Sequence, residues 1–420
     1  MTDLMDTAKT LFQAAVDRAD PAQALRAQLT ASPLPPLPAG GRNVLLAVGK
    51  AAVPMMREAL ALLPRPAQAL AITNPENYTK IPGATVICGS HPVPDENSAA
   101  AGMAAIELAA SLGPDDRLIA LISGGGSALM VAPAPGLTLA HKTAVNKLLL
   151  ASGLEINEMN LIRQQLSDIK GGGLLRHAAP AQVQAFILSD VIGDDLRAIA
   201  SGPTVSPIGS RAQARDILQR AGVWDSAPEA VRSHLSAAEQ AQTAPAPASN
   251  TLIGSNRHSL KAMMTAAAAG WSAKLVSHRL VGDVADAAQT VVAAAEAAPK
   301  DSPVALIFGG ETTVQLTGSG LGGRNQELAL RVAKLGAERL SGDWLFLSGG
   351  TDGRDGPTDA AGGIAAPSTW QAIRDAGKDP EALLANNDSY AALKAAGALL
   401  VTGGTGTNVA DVQVFLRLPD

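Results

Sequence analysis

The chain has 420 residues, a net charge of −5, 47% apolar, 17% charged and 3% aromatic residues, and one cysteine, Cys88. That length suggests two or three domains with a core large enough for an enzyme. The acidic balance (pI about 5.7) and the lack of aromatic stacking platforms count against nucleic-acid binding, and one cysteine excludes an internal disulfide framework or a Cys-based zinc cluster.

Residues 4–30 read as helix, broken at Asp20-Pro21, and "SPLPPLPAGG" as a proline-rich connector. Asp3, Asp6, Asp17 and Asp20 interrupt any apolar leader, so no signal peptide and a cytoplasmic location are expected. Strand-sized apolar runs then alternate with helices. "NVLLAVG" precedes the helix "KAAVPMMREALALL"; "QALAIT" and "ATVICG" precede "DENSAAAGMAAIELAASL"; "RLIALIS" precedes a helix near Thr138–Ala151; "QVQAFILSD" ends at Asp190. Cys88, inside one of these runs, reads as a small core residue. Mean hydropathy is +0.14, yet no charge-free apolar run reaches the ~18–20 residues of a membrane span. The pattern predicts a mostly parallel sheet covered on both faces.

The polar "HLSAAEQAQTAPAPASN" (234–250) reads as a helix end and linker. The rhythm restarts with "TLIGS", "NRHSLKAMMTAAAAG", "AKLVSH", "DVADAAQTVVAAAEAA", "PVALIFGG", "GGRNQELALRVAKLG", "DWLFLSGG" and "LLVTGGTGTNVADVQVFLRL". The expected organisation is two α/β lobes, 1–245 and 246–420.

In open parallel sheets ligands bind beyond the carboxyl ends of strands, and the chemistry-bearing residues fall there. Lys50 follows "LLAVG" and opens a helix, where a cation opposes the dipole. That misfit suggests a phosphate-holding task rather than a lysine reaching for water. "SGGGSA" (Ser123, Gly124, Gly125, Gly126, Ser127, Ala128) offers successive backbone N–H groups before a helix, suited to phosphate or carboxylate; the plain alternative is a tight turn. Asp190 ends an apolar strand, where a bare carboxylate is costly. Asp352, in "GGTDGRDGPTDAAGG", is placed alike, with an Asx-turn as the alternative. The two carboxylates could hold Mg²⁺ together with phosphate and water, or serve as a base. Asp194 and Asp195 could cap "DLRAIA", and Asp355 and Asp359 suit turns. Arg324 follows a glycine run and opens a helix; its planar fork suits phosphate or carboxylate, or a surface ion pair. Glu311 in "FGGETT" could pair with a cation. His91 in "GSHPVPDENS" is open between substrate contact and a turn role, while His141 and His258 read as helix-start residues.

Several templates fail. "AVGKAA" is no Walker loop, because Val44 and Ala51 occupy defining positions. No G-x-G-x-x-G both follows a strand and opens a helix, against a dinucleotide reductase. "DGRDGPTD" puts Arg354 and Gly356 where a calcium loop needs ligands.

Taken together, "AVGKAA", "GSHPVPDENS", "LISGGGSAL", "IRQQLSDIKGGGL", "LSDVIGDDLRAIASGPT", "GGETTVQLTGSGLGGRNQELAL", "GTDGRDGPTDAAGG" and "GGTGTNVAD" resemble the class II glycerate 2-kinase family, from about residue 5 to 418. The resemblance implies a Rossmann-like parallel sheet with flanking helices in an N-terminal glycerate kinase domain, and a C-terminal α/β MOFRL domain at about 300–415. It implies an active site in the cleft between the lobes. It implies transfer of the ATP γ-phosphoryl to the 2-hydroxyl of D-glycerate with Mg²⁺, giving 2-phospho-D-glycerate. Catalytic weight falls on a lysine and an arginine matching Lys50 and Arg324, with Asp190 beside them. Phosphate or substrate contacts are expected from Ser123–Ser127, His91, Gly404, Thr405 and Asn408, and metal contacts from Asp190 and Asp352. Gly404 departs from the family's pattern, which has proline there. Small-molecule substrates, no nucleic acid, no membrane and a homodimer complete the expectations. Two competing readings are an NAD(P)H-dependent hydroxypyruvate reductase, the older label of many relatives, and a non-catalytic binder of sugar acids or nucleotide.

Overall fold

The computed structural model describes residues 2–64, 66–238 and 245–419. It divides into two compact units, one of residues Ala24–Ile253 and one joining Met1–Gln23 to Gly254–Asp420. Among the described residues no helix is long and apolar enough to cross a membrane.

The 24–253 unit is built on strands β1 (Asn43–Val48), β2 (Gln68–Thr73), β3 (Thr85–Cys88), β4 (Arg117–Ile122), β5 (Gln182–Leu188) and β6 (Ala248–Gly254), in the order β3-β2-β1-β4-β5-β6. Strands β1 to β5 pair in parallel. Val48 lies opposite both Ile72 and Ile122, and Ile122 opposite Ile187, so four strands end at one level. Burial on both faces explains the unbroken apolar runs: every residue of β4 is buried. Helices Ala52–Leu62, Glu96–Ala110 and Gly173–Ala178 flank the sheet.

Four further helices, Leu139–Ala151, Ile156–Gln165, Arg211–Arg220 and Glu229–Ser236, pack on a separate small core that includes Val145, Leu149, Ile162, Leu218 and Val231. Their starts are locally encoded. Thr138 Oγ1 accepts the His141 amide while His141 Nδ1 accepts the Thr138 amide, and Ser210 with Gln213 repeats the arrangement. His141 is thus a helix-start residue, as expected. The helices Ile156–Gln165 and Arg211–Arg220 were not anticipated from sequence, and of Glu229–Ser236 only the end was.

The second unit holds β7 (Ser272–Ser277), β8 (Gly282–Asp283), β9 (Val304–Gly310), β10 (Thr312–Thr313), β11 (Trp344–Gly350), β12 (Gly362–Ala365), β13 (Leu399–Leu400) and β14 (Asp411–Arg417). The main sheet runs β13-β12-β11-β14-β9-β7, with only β7–β9 parallel; β8 and β10 form a separate pair. That sheet is therefore mixed, unlike the parallel pairing of the first. The glycine-rich segment after β11 returns as β12 without a crossover helix, and such a return makes an antiparallel pair.

Two boundary expectations also change. Leu4, Leu11 and Phe12, on the helix Thr2–Arg18, share a core with Leu260, Ile307 and Val412, so the chain start belongs with the second unit rather than with 24–253. "TLIGS" lies in β6, the edge of the first sheet, so the division falls near 253 rather than 245. Residues 239–244 of the expected linker lie outside the described residues.

Candidate active site

Within the 24–253 unit, the level strand ends bring several expected residues together. The Lys50 amide donates to Gly124 O at 2.8 Å, and the Ala51 amide to Ser123 Oγ at 3.1 Å. Ser123 is buried and its hydroxyl donates to Val48 O at 3.2 Å. Ser123 thus fastens the Lys50 turn to the "SGGGSA" turn, and both of its hydrogen-bonding roles are filled by backbone.

The glycines place the charges. A Cβ at Gly124 would lie 1.9 Å from Asp190 Oδ2; one at Gly125 would lie 3.2 Å from Lys50 Cγ and 3.3 Å from His91 Cδ2. Gly125 also has φ +82°, a left-handed conformation that suits glycine. Gly126 packs against Ala200 and Val48 instead. Lys50, His91 and Asp190 therefore surround the Gly124–Gly125 turn. Burial raises the Asp190 pKa, with Lys50 opposing. Burial lowers the His91 pKa, Lys50 lowers it further, and Glu76 opposes. The imidazole is accordingly neutral near pH 7. Gly124→Ala is expected to displace the Asp190 carboxylate and cut turnover, with the thermal midpoint shifting far less than activity; kinetics beside a melting curve checks this.

Ser127 looks the other way. Its Oγ lies 2.7 Å from Ser201 Oγ, and Lys170 Nζ donates to Ser127 O (2.7 Å) and Oγ (3.0 Å). Lys170, Lys142 and Arg163 line one cavity with Ser127 and Asp190. None of these three cations was singled out from sequence, nor was Glu76. On a helix or a turn such residues read as solvated charges; the fold buries Lys170, half-buries Lys142 and Arg163, and leaves Glu76 exposed.

In the second unit, Asp411 opens β14 and lies opposite both Gly310 of β9 and Gly350 of β11. Strands β9 and β11 run the same way, so their carboxyl ends flank it. Arg324, at the start of the helix Arg324–Arg339, donates Nε to Asp411 Oδ2 at 2.6 Å and Nη2 to Asp411 Oδ1 at 2.9 Å, with Glu311 at 3.3 Å. Burial disfavours the guanidinium charge, but hydrogen bonding and attraction from Asp411, helped by Glu311, outweigh it and raise the pKa. The Nη1 edge has no protein hydrogen bond among the described residues, and the side chain is 32% exposed.

Asp355 is buried and accepts the Asn325 amide at 3.2 Å and the Gln326 amide at 2.8 Å, satisfying the first N–H groups of that helix. Its pKa is raised to about 6, chiefly by burial, against those two bonds. Because the folded value lies above the unfolded one, this group's contribution to stability is complete below about pH 4 and is lost as pH rises through about 6. Urea midpoints at pH 4.5 and 7 should therefore differ more in the native protein than in Asp355→Asn. Equal differences would remove Asp355 as the cause.

Asp352 Oδ1 accepts the Arg354 amide at 3.0 Å, the Asx-turn alternative. Asp359 accepts the Tyr390 hydroxyl at 2.9 Å. The 403–408 loop is tied to the same place: Thr405 Oγ1 donates to Thr351 O at 2.6 Å, and Asn408 Oδ1 accepts the Ala410 amide at 3.1 Å. A Cβ at Gly353 would lie 1.9 Å from Gly403 O. Gly353 thus serves a close approach between these two loops, while Gly404 faces open space. Lys50, His91, Asp190 and Gly124–Ser127 are therefore grouped in one unit. Arg324, Asp352, Gly404, Thr405 and Asn408 belong to the other. Among the described residues no group of three His, Cys, Asp or Glu is placed to hold a metal.

Residues 7–236 match the family model described as a domain of unknown function (DUF4147), and residues 304–411 match the MOFRL family. The chain is 38% identical to the D-glycerate 2-kinase of Thermotoga maritima over 89% of this chain and 90% of that one. It is 42% identical to the glycerate kinase of Homo sapiens, covering 77% and 72% respectively. An Agrobacterium vitis protein provisionally named hydroxypyruvate reductase is 40% identical, covering 97% and 93%. The crystal structure of glycerate kinase from Thermotoga maritima superposes with a TM-score of 0.91 at 35% identity, covering 100% of both chains. The chain therefore belongs to the glycerate kinase family that joins a DUF4147 domain to a MOFRL domain.

Proposed function

We propose that this chain is an ATP-dependent glycerate 2-kinase, transferring the γ-phosphoryl of ATP to the 2-hydroxyl of D-glycerate and releasing 2-phospho-D-glycerate and ADP. The observation that carries the reading is the convergence of Lys50, His91 and Asp190 on the Gly124–Gly125 turn at the carboxyl edge of a parallel sheet. Phosphoryl transfer asks for positioning and charge neutralisation rather than covalent help. Lys50 supplies a cation, the turn supplies backbone N–H groups, and neutral His91 supplies a hydrogen bond without competing for charge. Arg324, held rigid by Asp411, presents its remaining edge to an oxyanion. Thr405, Asn408 and Gly404 form a second phosphate-binding loop in this reading.

Mg²⁺ fits the donor set as a cation arriving with the nucleotide. A carboxylate at a strand end suits an ion that keeps water and phosphate oxygens, and no three-ligand cage exists among the described residues. Within the 24–253 unit Asp190 would hold it, and when bound it would offset charge on the phosphate oxygens; Asp352 belongs to the other unit, where its Oδ1 accepts the Arg354 amide. Asp190, its pKa raised by burial, is also the carboxylate suited to accept the hydroxyl proton. One carboxylate cannot do both in the same complex. Asp190→Asn activity that returns at high magnesium assigns the metal role; activity that stays lost assigns the proton.

The test is one reaction of protein, MgATP and D-glycerate, with the product read by phosphorus NMR and by enolase coupling without added mutase. Enolase uses 2-phosphoglycerate directly, so signal there supports the 2-hydroxyl as acceptor. No product, together with NADPH oxidation on adding hydroxypyruvate, would overturn the kinase in favour of the reductase.

A further inference from the structure

Beside the glycine turn of the 24–253 unit lies a cavity of about 450 Å³, lined by Gly125, Ser127, Asp190, Lys142, Arg163 and Lys170. Its charge is unbalanced. Lys142 Nζ donates to Leu166 O at 3.0 Å, Lys170 Nζ to Ser127 O and Oγ, and Arg163 to the side-chain oxygens of Asn146 and Asn160 at 2.6–3.2 Å. Every one of these partners is neutral. Among the described residues none of the three cations has a salt bridge, and Asp190 is the only acidic residue of the lining. Burial and Arg163 push Lys170 down to about 8, and burial with the other two cations lowers Lys142. Neutral amide side chains could hold the same carbonyls without this repulsion. Lys170 is buried and Lys142 and Arg163 are half-buried; grouped cations that have lost water and bond only neutral partners leave a place for an anion to be bound.

We infer that this cavity is the carboxylate subsite for a small 2-hydroxy acid, with Arg163 and Lys170 holding the carboxylate and Lys142 setting the field behind them. Naming the acid as glycerate rests on the kinase reading. The cations of the lining outnumber its one acidic residue, so the cavity suits a small anion, and the planar fork of Arg163 matches a carboxylate. An acid anchored at Arg163 and Lys170 shares the cavity with Asp190, on which its hydroxyl can converge. Glycerol, lacking the carboxylate, should fail to bind.

The test is calorimetric titration at pH 7, where Lys170 remains protonated, with D-glycerate alone and separately with MgADP. Arg163→Gln and Lys170→Gln should each weaken D-glycerate about 10–100-fold, the range of a lost charged hydrogen bond. Lys170→Arg should restore most of the affinity, and MgADP affinity should stay within about threefold throughout. If Lys170→Gln does not fold, Arg163→Gln carries the comparison. Unchanged D-glycerate affinity would overturn the subsite, as would a loss confined to MgADP, which would make the cluster a phosphate site. Native protein that binds D-glycerate through Arg163 but forms no phosphoglycerate would refute the kinase reading and leave the subsite standing.

Discussion

Replacing Lys50 with alanine is expected to lower kcat by about 10²–10³-fold, the usual consequence of removing an electrostatic contact made to developing charge. The fold should hold. The side chain of Lys50 makes no hydrogen bond or salt bridge among the described residues, and the turn that carries it is fixed by backbone bonds to Gly124 and by the Ser123 hydroxyl. The kinetic effect should sit mainly in kcat, since a contact strengthened in the transition state contributes little to ground-state binding. Two neighbours should respond when Lys50 is lost. Asp190 loses the charge that opposes its raised pKa, so that pKa should rise further; His91 loses the charge that lowers its own, so that pKa should climb. NMR titration of the His91 ring in native and Lys50→Ala protein reads the second shift directly. A turnover within twofold of native would refute the assignment.

Arg324→Ala is expected to behave differently, because it injures the fold as well as the chemistry. Asp411 is fully buried at the start of β14 and its carboxylate takes both Arg324 bonds. Removing the guanidinium leaves an uncompensated buried carboxylate, which costs about 3 kcal/mol, at the lower end of the range for broken buried pairs because Arg324 itself is partly exposed. Lost activity in this variant therefore does not by itself report catalysis. Arg324→Ala combined with Asp411→Asn should recover much of the stability and little of the turnover, if the free edge of Arg324 serves the reaction. Denaturant midpoints and kcat on the three proteins separate the two effects. Full recovery of turnover in the double variant would reduce Arg324 to a structural partner of Asp411.

Much of the first unit was legible in the chain. Parallel strands buried on both faces are uninterrupted apolar runs, so "NVLLAV", "RLIALI" and "QVQAFIL" announce themselves and Lys50, Ser123 and Asp190 follow directly from where they stop. Lys50 and the glycine run were visible for a second reason: each conflicts with its local setting unless it has a task. The three cations of the carboxylate cavity had no such signal. Arg163 in "NLIRQQL" and Lys142 in "LAHKTAV" occupy helices, where scattered charges are ordinary. Their helices turn those residues toward a cavity, and a one-dimensional pattern does not distinguish that face from solvent. Asp411 was hidden similarly, since an aspartate opening a strand gives no hint of an arginine 87 residues earlier.

Sequence by itself determined the local content: the strand runs, the Thr138 helix start, the glycine turns, and the residue types gathered at strand ends. Those follow from backbone propensity and the period of burial, which neighbours within a few residues decide. Only the tertiary structure decided that the helix Thr2–Arg18 belongs with the sheet after residue 254, that β12 and β14 run against β11, and that Lys142, Arg163 and Lys170 share one cavity. Each of those depends on which apolar faces meet and which charges lose their water, and these are contacts between segments far apart in the chain.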